Sequence, residues 1–176
     1  VTVTPFAIDA PQNVTGSAGI SAATINWSAV SVLSPHVITK YQISYYDISN
    51  SSIITTVDVS SNVTQLTITN LINDLTYEFS VKAFINDASS VASSSVQVTP
   101  FSLNAPQNVT GTSGASNAII SWTAVTVSSP NTITKYQISY YDITTPSNIS
   151  TLDVSGNVTQ SRVYVLTNDV TYEFSV

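Results

Sequence analysis

Leu71-Ile-Asn-Asp-Leu-Thr-Tyr77-Glu-Phe79-Ser-Val81-Lys-Ala83-Phe84 is the stretch whose reading decides the fold. Tyr77, Phe79, Val81 and Ala83 alternate with Glu78, Ser80 and Lys82. A period of two sends one set into a core and the other toward solvent, as in a half-buried strand. Leu71 stands six residues before Tyr77, with the turn residues Asn73-Asp74 between them. The stretch therefore reads as a corner that feeds a central strand.

Working outward, the corner recurs. Thr76-Tyr-Glu-Phe-Ser-Val81 returns as Thr171 to Val176, Trp27 as Trp122, and Ala10-Pro-Gln-Asn-Val-Thr-Gly16 as Ala105 to Gly111. Ile38 to Asp47 returns unchanged as Ile133 to Asp142, and Val1-Thr-Val-Thr-Pro5-Phe6 as Val96-Gln-Val-Thr-Pro100-Phe101. Every offset is 95 residues without insertion, and 52 of the 81 aligned positions are identical. A fixed period is the signature of a tandem array. A unit this long can own a core, so the units are beads rather than solenoid turns.

Within one unit the strands are short and regularly spaced. They read as Ala10 to Ser17, Ala23 to Val30 (Ile25, Trp27 and Ala29 inward), Ile38 to Asp47 (Tyr41, Ile43 and Tyr45 inward), Ile53 to Ser60, Gln65 to Leu71 (Leu66 and Ile68 inward), Tyr77 to Phe84 and Ser94 to Thr99. Val, Ile, Thr and Tyr fill these runs; Gly, Pro, Asn, Asp and Ser fill the gaps. Seven alternating strands per unit predict an antiparallel two-sheet sandwich, and hence an all-β fold.

These residues resemble a fibronectin type III domain. Pro11, Trp27, Tyr41, Leu71, Tyr77, Phe79, Val81 and Ala83 match that family's pattern, and so do Pro106, Trp122, Tyr136, Leu166, Tyr172, Phe174 and Val176. The resemblance covers the whole chain. It implies two tandem fibronectin type III-like sandwiches, repeat 1 at 10–100 and repeat 2 at 105–176, with residues 1–6 a last strand belonging elsewhere. It further implies a structural core of Trp27, Tyr41, Leu71 and Tyr77, repeated as Trp122, Tyr136, Leu166 and Tyr172. Tyr77 would close a tyrosine corner, its hydroxyl bonded to backbone upstream. The fold type serves spacer, adhesin and receptor alike, so the function is left open by it.

Composition narrows the partners. Charged residues make up 8% of the 176, and the net charge is −6 with four cations, Lys40, Lys82, Lys135 and Arg162. Nucleic-acid binding needs clustered phosphate-neutralising cations, so no nucleic-acid partner is expected. No apolar run reaches the ~20 residues of a membrane span, so no membrane insertion is expected. There is no Cys, so neither disulfides nor thiolate ligands enter. His36, the one His, stands in the turn Ser34-Pro35-His36, where unit 2 has Asn131. No catalytic site, cofactor or metal site is expected from this set. Asp47, Asp58, Asp74 and Glu78 recur as Asp142, Asp153, Asp169 and Glu173 and read as turn and solvent-face residues.

Seven N-x-S/T sequons mark candidate N-glycosylation sites: Asn13, Asn26, Asn50, Asn62, Asn108, Asn148 and Asn157. Leu66 is replaced in the second unit by Ser161. Such a truncation weakens a core by about 2–5 kcal/mol unless a neighbour such as Tyr164 refills the space. Phe6 and Phe101 follow the last-strand prolines and read as rings at domain junctions. The second repeat lacks its last strand within residues 105–176, while Val1 to Pro5 looks like a spare one. Two readings follow: a window cut from a longer array, or donation of that strand to a neighbouring copy.

The sequence thus points to a non-enzymatic structural repeat of an extracellular, cell-surface or virion-surface fibre, with neighbouring copies or repeats as partners. Two alternatives stay open. One is an adhesion module holding a surface protein or glycan through its loops. The other is an accessory segment of a secreted polysaccharide-degrading enzyme.

Overall fold

A computed structural model of the chain describes residues 5–129 and 131–176. The strand expected at Val1–Thr4, and the donation built on it, lie outside the described residues. The chain divides into two compact units, Val1–Ser102 and Leu103–Val176. In unit 1 the strands are β1 (Thr15–Gly19), β2 (Ala22–Asn26), β3 (Lys40–Asp47), β4 (Thr55–Ser60), β5 (Gln65–Thr69), β6 (Tyr77–Ile85), β7 (Ala88–Ser89) and β8 (Val96–Val98). In unit 2 they are β9 (Gln107–Gly114), β10 (Asn117–Thr123), β11 (Lys135–Asp142), β12 (Ser150–Ser155), β13 (Gln160–Tyr164) and β14 (Tyr172–Ser175).

Unit 1 is a two-sheet sandwich. One sheet runs β1-β2-β5; the other runs β4-β3-β6, with β7 and β8 both pairing on the free edge of β6. The residues that alternate inward close the space between them. Ile25, Ile43, Phe79 and Val81 are fully buried, and Trp27 sits edge-on to Tyr41 at 5.6 Å. Edge-to-face packing suits the opposed charge of ring face and ring edge. Unit 2 repeats the arrangement with sheets β9-β10-β13 and β12-β11-β14, and with Ile120, Ile138 and Val163 at its centre.

Several boundaries differ from the sequence reading, each for a local reason. The first strand begins at Thr15, not Ala10, because Asn13 takes φ 56° and breaks the extended run. In unit 2 Asn108 takes the same left-handed backbone, φ 54°, but β9 resumes beyond it: Gln107 pairs with Thr123 across a register shift between Ser121 and Thr123. The second strand ends at Asn26, which leaves Ala29 exposed rather than inward. The short strand β7 was not legible. It forms because Asn86, at φ 53°, and Asp87 make a two-residue hairpin turn that brings Ala88 opposite Ile85.

Six of the eight expected core residues are buried: Trp27, Tyr41, Leu71, Tyr77, Trp122 and Tyr136. Leu166 and Tyr172 are only half-buried. In unit 1 Tyr77 lies opposite Val98 of β8; in unit 2 no strand among the described residues pairs on that edge of β14. Unit 2 accordingly carries an open groove of ≈ 380 Å³ lined by Gly111, Ile120, Leu166, Tyr172 and Phe174. Tyr164 does not refill the space left by Ser161. It is 64% exposed, because three residues along a strand place the two side chains on opposite faces.

Candidate functional site

The corner around Tyr77 is a small network of backbone clamps. The Ile72 N–H donates to Tyr77 Oη at 3.1 Å, and the Thr167 N–H donates to Tyr172 Oη at 3.2 Å. Asn73 Oδ1 accepts from the Ser21 N–H at 2.8 Å, tying the corner to the β1–β2 turn, and Asn168 does the same for Ser116. Tyr41 and Tyr136 accept from the Val30 and Val125 N–H groups, each at 2.8 Å. Tyr41, Tyr77 and Tyr136 bury their rings and Tyr172 half-buries its own, and each satisfies a loop amide with its oxygen. They hold loops in place.

The outward face of the β4-β3-β6 sheet carries two networks of ordered polar side chains. Asp58 accepts from Lys40 Nζ at 2.6 Å and from Gln42 Nε2 at 2.9 Å; Asp153 accepts from Lys135 at 2.7 Å and Gln137 at 2.9 Å. These bonds hold both carboxyls below the ordinary carboxylate range, the lysine bond contributing most. On the same face Tyr46 Oη donates to Glu78 at 2.7 Å and Gln97 donates to its other oxygen at 3.2 Å. Both bonds lower the Glu78 pKa, the tyrosine bond most, and the bond to Glu78 raises that of Tyr46. Between the two networks lie Ser44, Ser80 and Thr56, whose hydroxyls have no side-chain or backbone partner among the described residues.

Residues 9–99 and 104–176 each match the fibronectin type III domain. The chain belongs to the fibronectin type III family. It is 31% identical over 163 residues to the Kelch domain-containing protein SSO1033 of Saccharolobus solfataricus, covering 92% of this chain but only 21% of that relative's length. Among solved structures it resembles the chicken CNTN1 FN1-FN3 domains, with a TM-score of 0.61 and 18% identity over 97% of this chain and 60% of that one. A two-domain fibronectin type III segment of chicken tenascin aligns with a TM-score of 0.47 at 17% identity, over 94% of this chain and 89% of that one. The structural likeness concerns the fold alone.

On these fibronectin type III units the expected modification sites fall into distinct settings. Asn13 and Asn108 sit in left-handed backbone, their Nδ2 groups donating to Ser28 Oγ and Thr123 Oγ1 at 3.0 Å. Asn26 is half-buried and accepts from Gln65. Asn50, Asn62, Asn148 and Asn157 stand exposed in loops and turns. His36 stacks on the Phe6 ring at 3.8 Å, so Phe6 has its partner inside unit 1. The Phe101 N–H donates to Gly19 O at 3.1 Å, again inside unit 1. Among the described residues no group of three or more His, Cys, Asp or Glu is placed to hold a metal ion, and no helix is long and apolar enough to cross a membrane.

Sequence reasoning singled out the core and the corner. The ordered face of β3, β4 and β6 escaped it. The signal was present, since Lys40, Gln42, Ser44 and Tyr46 alternate with the buried Tyr41, Ile43 and half-buried Tyr45. Their cross-strand partners needed the register.

Proposed function

We propose that the chain is a non-enzymatic structural repeat of an extracellular, cell-surface or virion-surface fibre, in which each fibronectin type III unit acts as a self-supporting spacer beside neighbouring repeats or copies. The observation that carries this reading is the exact 95-residue period of two units, each with its own two-sheet core. A hydroxyl- and amide-rich surface with 8% charged residues suits a passive exposed spacer. The exposed sequons at Asn50, Asn62, Asn148 and Asn157 suit a glycosylated one. Antibody against the chain should label intact source cells or particles along extended structures, and brief external proteolysis should remove the label. Label found only after permeabilisation would refute the reading.

A second reading, adhesion through loops, is favoured by one feature of unit 1. Leu33 and Val37 are 87% and 66% exposed beside a hollow of ≈ 420 Å³ lined by Phe6, Val32, Leu33, Pro35 and His36. Unit 2 has Ser128 and Thr132 at the same positions. Replacing Leu33 and Val37 with those unit 2 residues should abolish attachment without lowering the melting temperature. Attachment unchanged by the exchange removes this reading.

A further inference from the structure

The two sheets of each sandwich have diverged differently since the unit was duplicated. On β1, β2 and β5 the outward positions are Thr15, Ser17, Gly19, Ala22, Thr24, Asn26, Gln65, Thr67 and Thr69. Their counterparts are Thr110, Thr112, Gly114, Asn117, Ile119, Ser121, Gln160, Arg162 and Tyr164, so six of nine differ. On β3, β4 and β6 the outward positions that have a counterpart within residues 96–176 are Lys40, Gln42, Ser44, Tyr46, Thr56, Asp58, Ser60, Glu78 and Ser80. In unit 2 none of these nine differs. Common descent applies equally to both faces, so it does not account for the contrast. Stability does not account for it either, because surface substitutions are usually worth within ±0.5 kcal/mol.

Register turns these residues into a shape. Thr56, Ser44 and Ser80 are cross-strand neighbours and form a row of small hydroxyls across three strands. One residue pair away on one side stand Asp58, Gln42 and Lys82; on the other stand Tyr46, Glu78 and Gln97. Long side chains therefore wall a shallow trough that runs across the strands, about 10 Å long over three strands and about 7 Å from floor to either wall along them. Thr151, Ser139 and Ser175 floor the same trough in unit 2, between Gln137 with Asp153 and Tyr141 with Glu173.

We propose that this trough is a ligand site, one per unit, for a linear uncharged glycan laid across the strands. The floor hydroxyls can each donate and accept and have no partner among the described residues. Beside them Gln42 and Tyr46 are held in place by Asp58 and Glu78, so little side-chain entropy is lost on binding. In unit 1 the face is balanced in charge, with Lys40 and Lys82 against Asp58 and Glu78; in unit 2 Lys135 stands against Asp153 and Glu173, and the Lys40–Asp58 and Lys135–Asp153 pairs are closed at 2.6 and 2.7 Å. Neither surface offers net positive charge to an anionic ligand, and neither has an apolar floor for a lipid or a hydrophobic peptide. A hydroxylated, neutral polymer complements it. This site goes beyond the spacer function and stands or falls independently of cell-surface location.

The test is native electrophoresis of the 176-residue chain through gels containing laminarin, dextran, mannan or xyloglucan, with polygalacturonate as the anionic comparison. At least one neutral polysaccharide should retard it. The double variant Ser44→Arg, Ser139→Arg should lose at least tenfold in affinity. Thr24→Arg, Ile119→Arg adds the same charge to the opposite face and should bind as the parent does. If the arginine pair in the trough unfolds the chain by circular dichroism, Ser44→Ala, Ser139→Ala should still weaken retardation severalfold. Retardation by none of the neutral polymers, or by polygalacturonate alone, overturns the site. Equal loss in the opposite-face variant does so too. Concentration-dependent dimerisation in sedimentation equilibrium, abolished by the trough variant and without any glycan retardation, would assign the face to a second copy instead.

Discussion

Gly16 and Gly111 are the same residue in the two units with different surroundings. A Cβ on Gly16 would run into Val98 Cγ2 of β8, whereas one on Gly111 would meet only Ile120 Cδ1 at 3.4 Å, an ordinary contact. Gly16→Ala should therefore cost about 1–3 kcal/mol by overpacking. Gly111→Ala should be near neutral or gain up to about 1 kcal/mol through a less flexible unfolded chain. Urea melts of the two variants measure the difference; equal effects would dissociate Gly16 from β8. Val165 is a second residue out of keeping with its position. It holds φ 63° and is 94% exposed, so its β-branched side chain gains no burial from the strain. Its counterpart Asn70 takes φ 61° with a side chain that tolerates left-handed backbone. Val165→Asn should stabilise the chain by about 1 kcal/mol, visible as a raised urea midpoint. No gain would mean that the unfolded state or a neighbour already compensates.

Strands β3 and β11, with their neighbours, carry the titrating groups. Lysine and glutamine bonds hold Asp58 and Asp153 below their unfolded pKa, and tyrosine and glutamine bonds lower Glu78 likewise. A lowered folded-state pKa contributes stability above the unfolded value of about 4, and the contribution disappears as pH falls through the folded value. Melting temperature should thus hold between pH 7 and 5 and decline below pH 4. Because the groups are exposed, the decline attributable to them is small. Asp58→Asn with Asp153→Asn should flatten it, and an unaltered decline in that variant would place the acid sensitivity elsewhere. These elements were legible as strands because Tyr41, Ile43, Phe79 and Val81 alternate with polar residues. Their ends were not, since Asn13, Asn86 and the β9–β10 irregularity depend on single backbone angles that period-two patterning does not encode.

At the scale of the molecule, each unit owns a core, and the two cores differ in enclosure. Unit 1 is closed along β6 by β7 and β8, while unit 2 presents the groove beside Gly111, Tyr172 and Phe174. Calorimetry of the 176-residue chain should therefore show two transitions. Fluorescence of Trp122 should report the earlier one and Trp27 the later, read in variants with the other tryptophan changed to Phe. A single transition followed equally by both tryptophans would show that the units unfold together.

The sequence by itself determined the repeat, the all-β class, the family and most of the core. Those follow from an exact period and from which faces must leave water. The half-burial of Leu166 and Tyr172, the outward turn of Tyr164, the short strand β7 and the hydroxyl-floored troughs were decided only by tertiary structure. Each depends on which residue of another strand stands opposite, and register is a property of paired strands that a single strand does not carry.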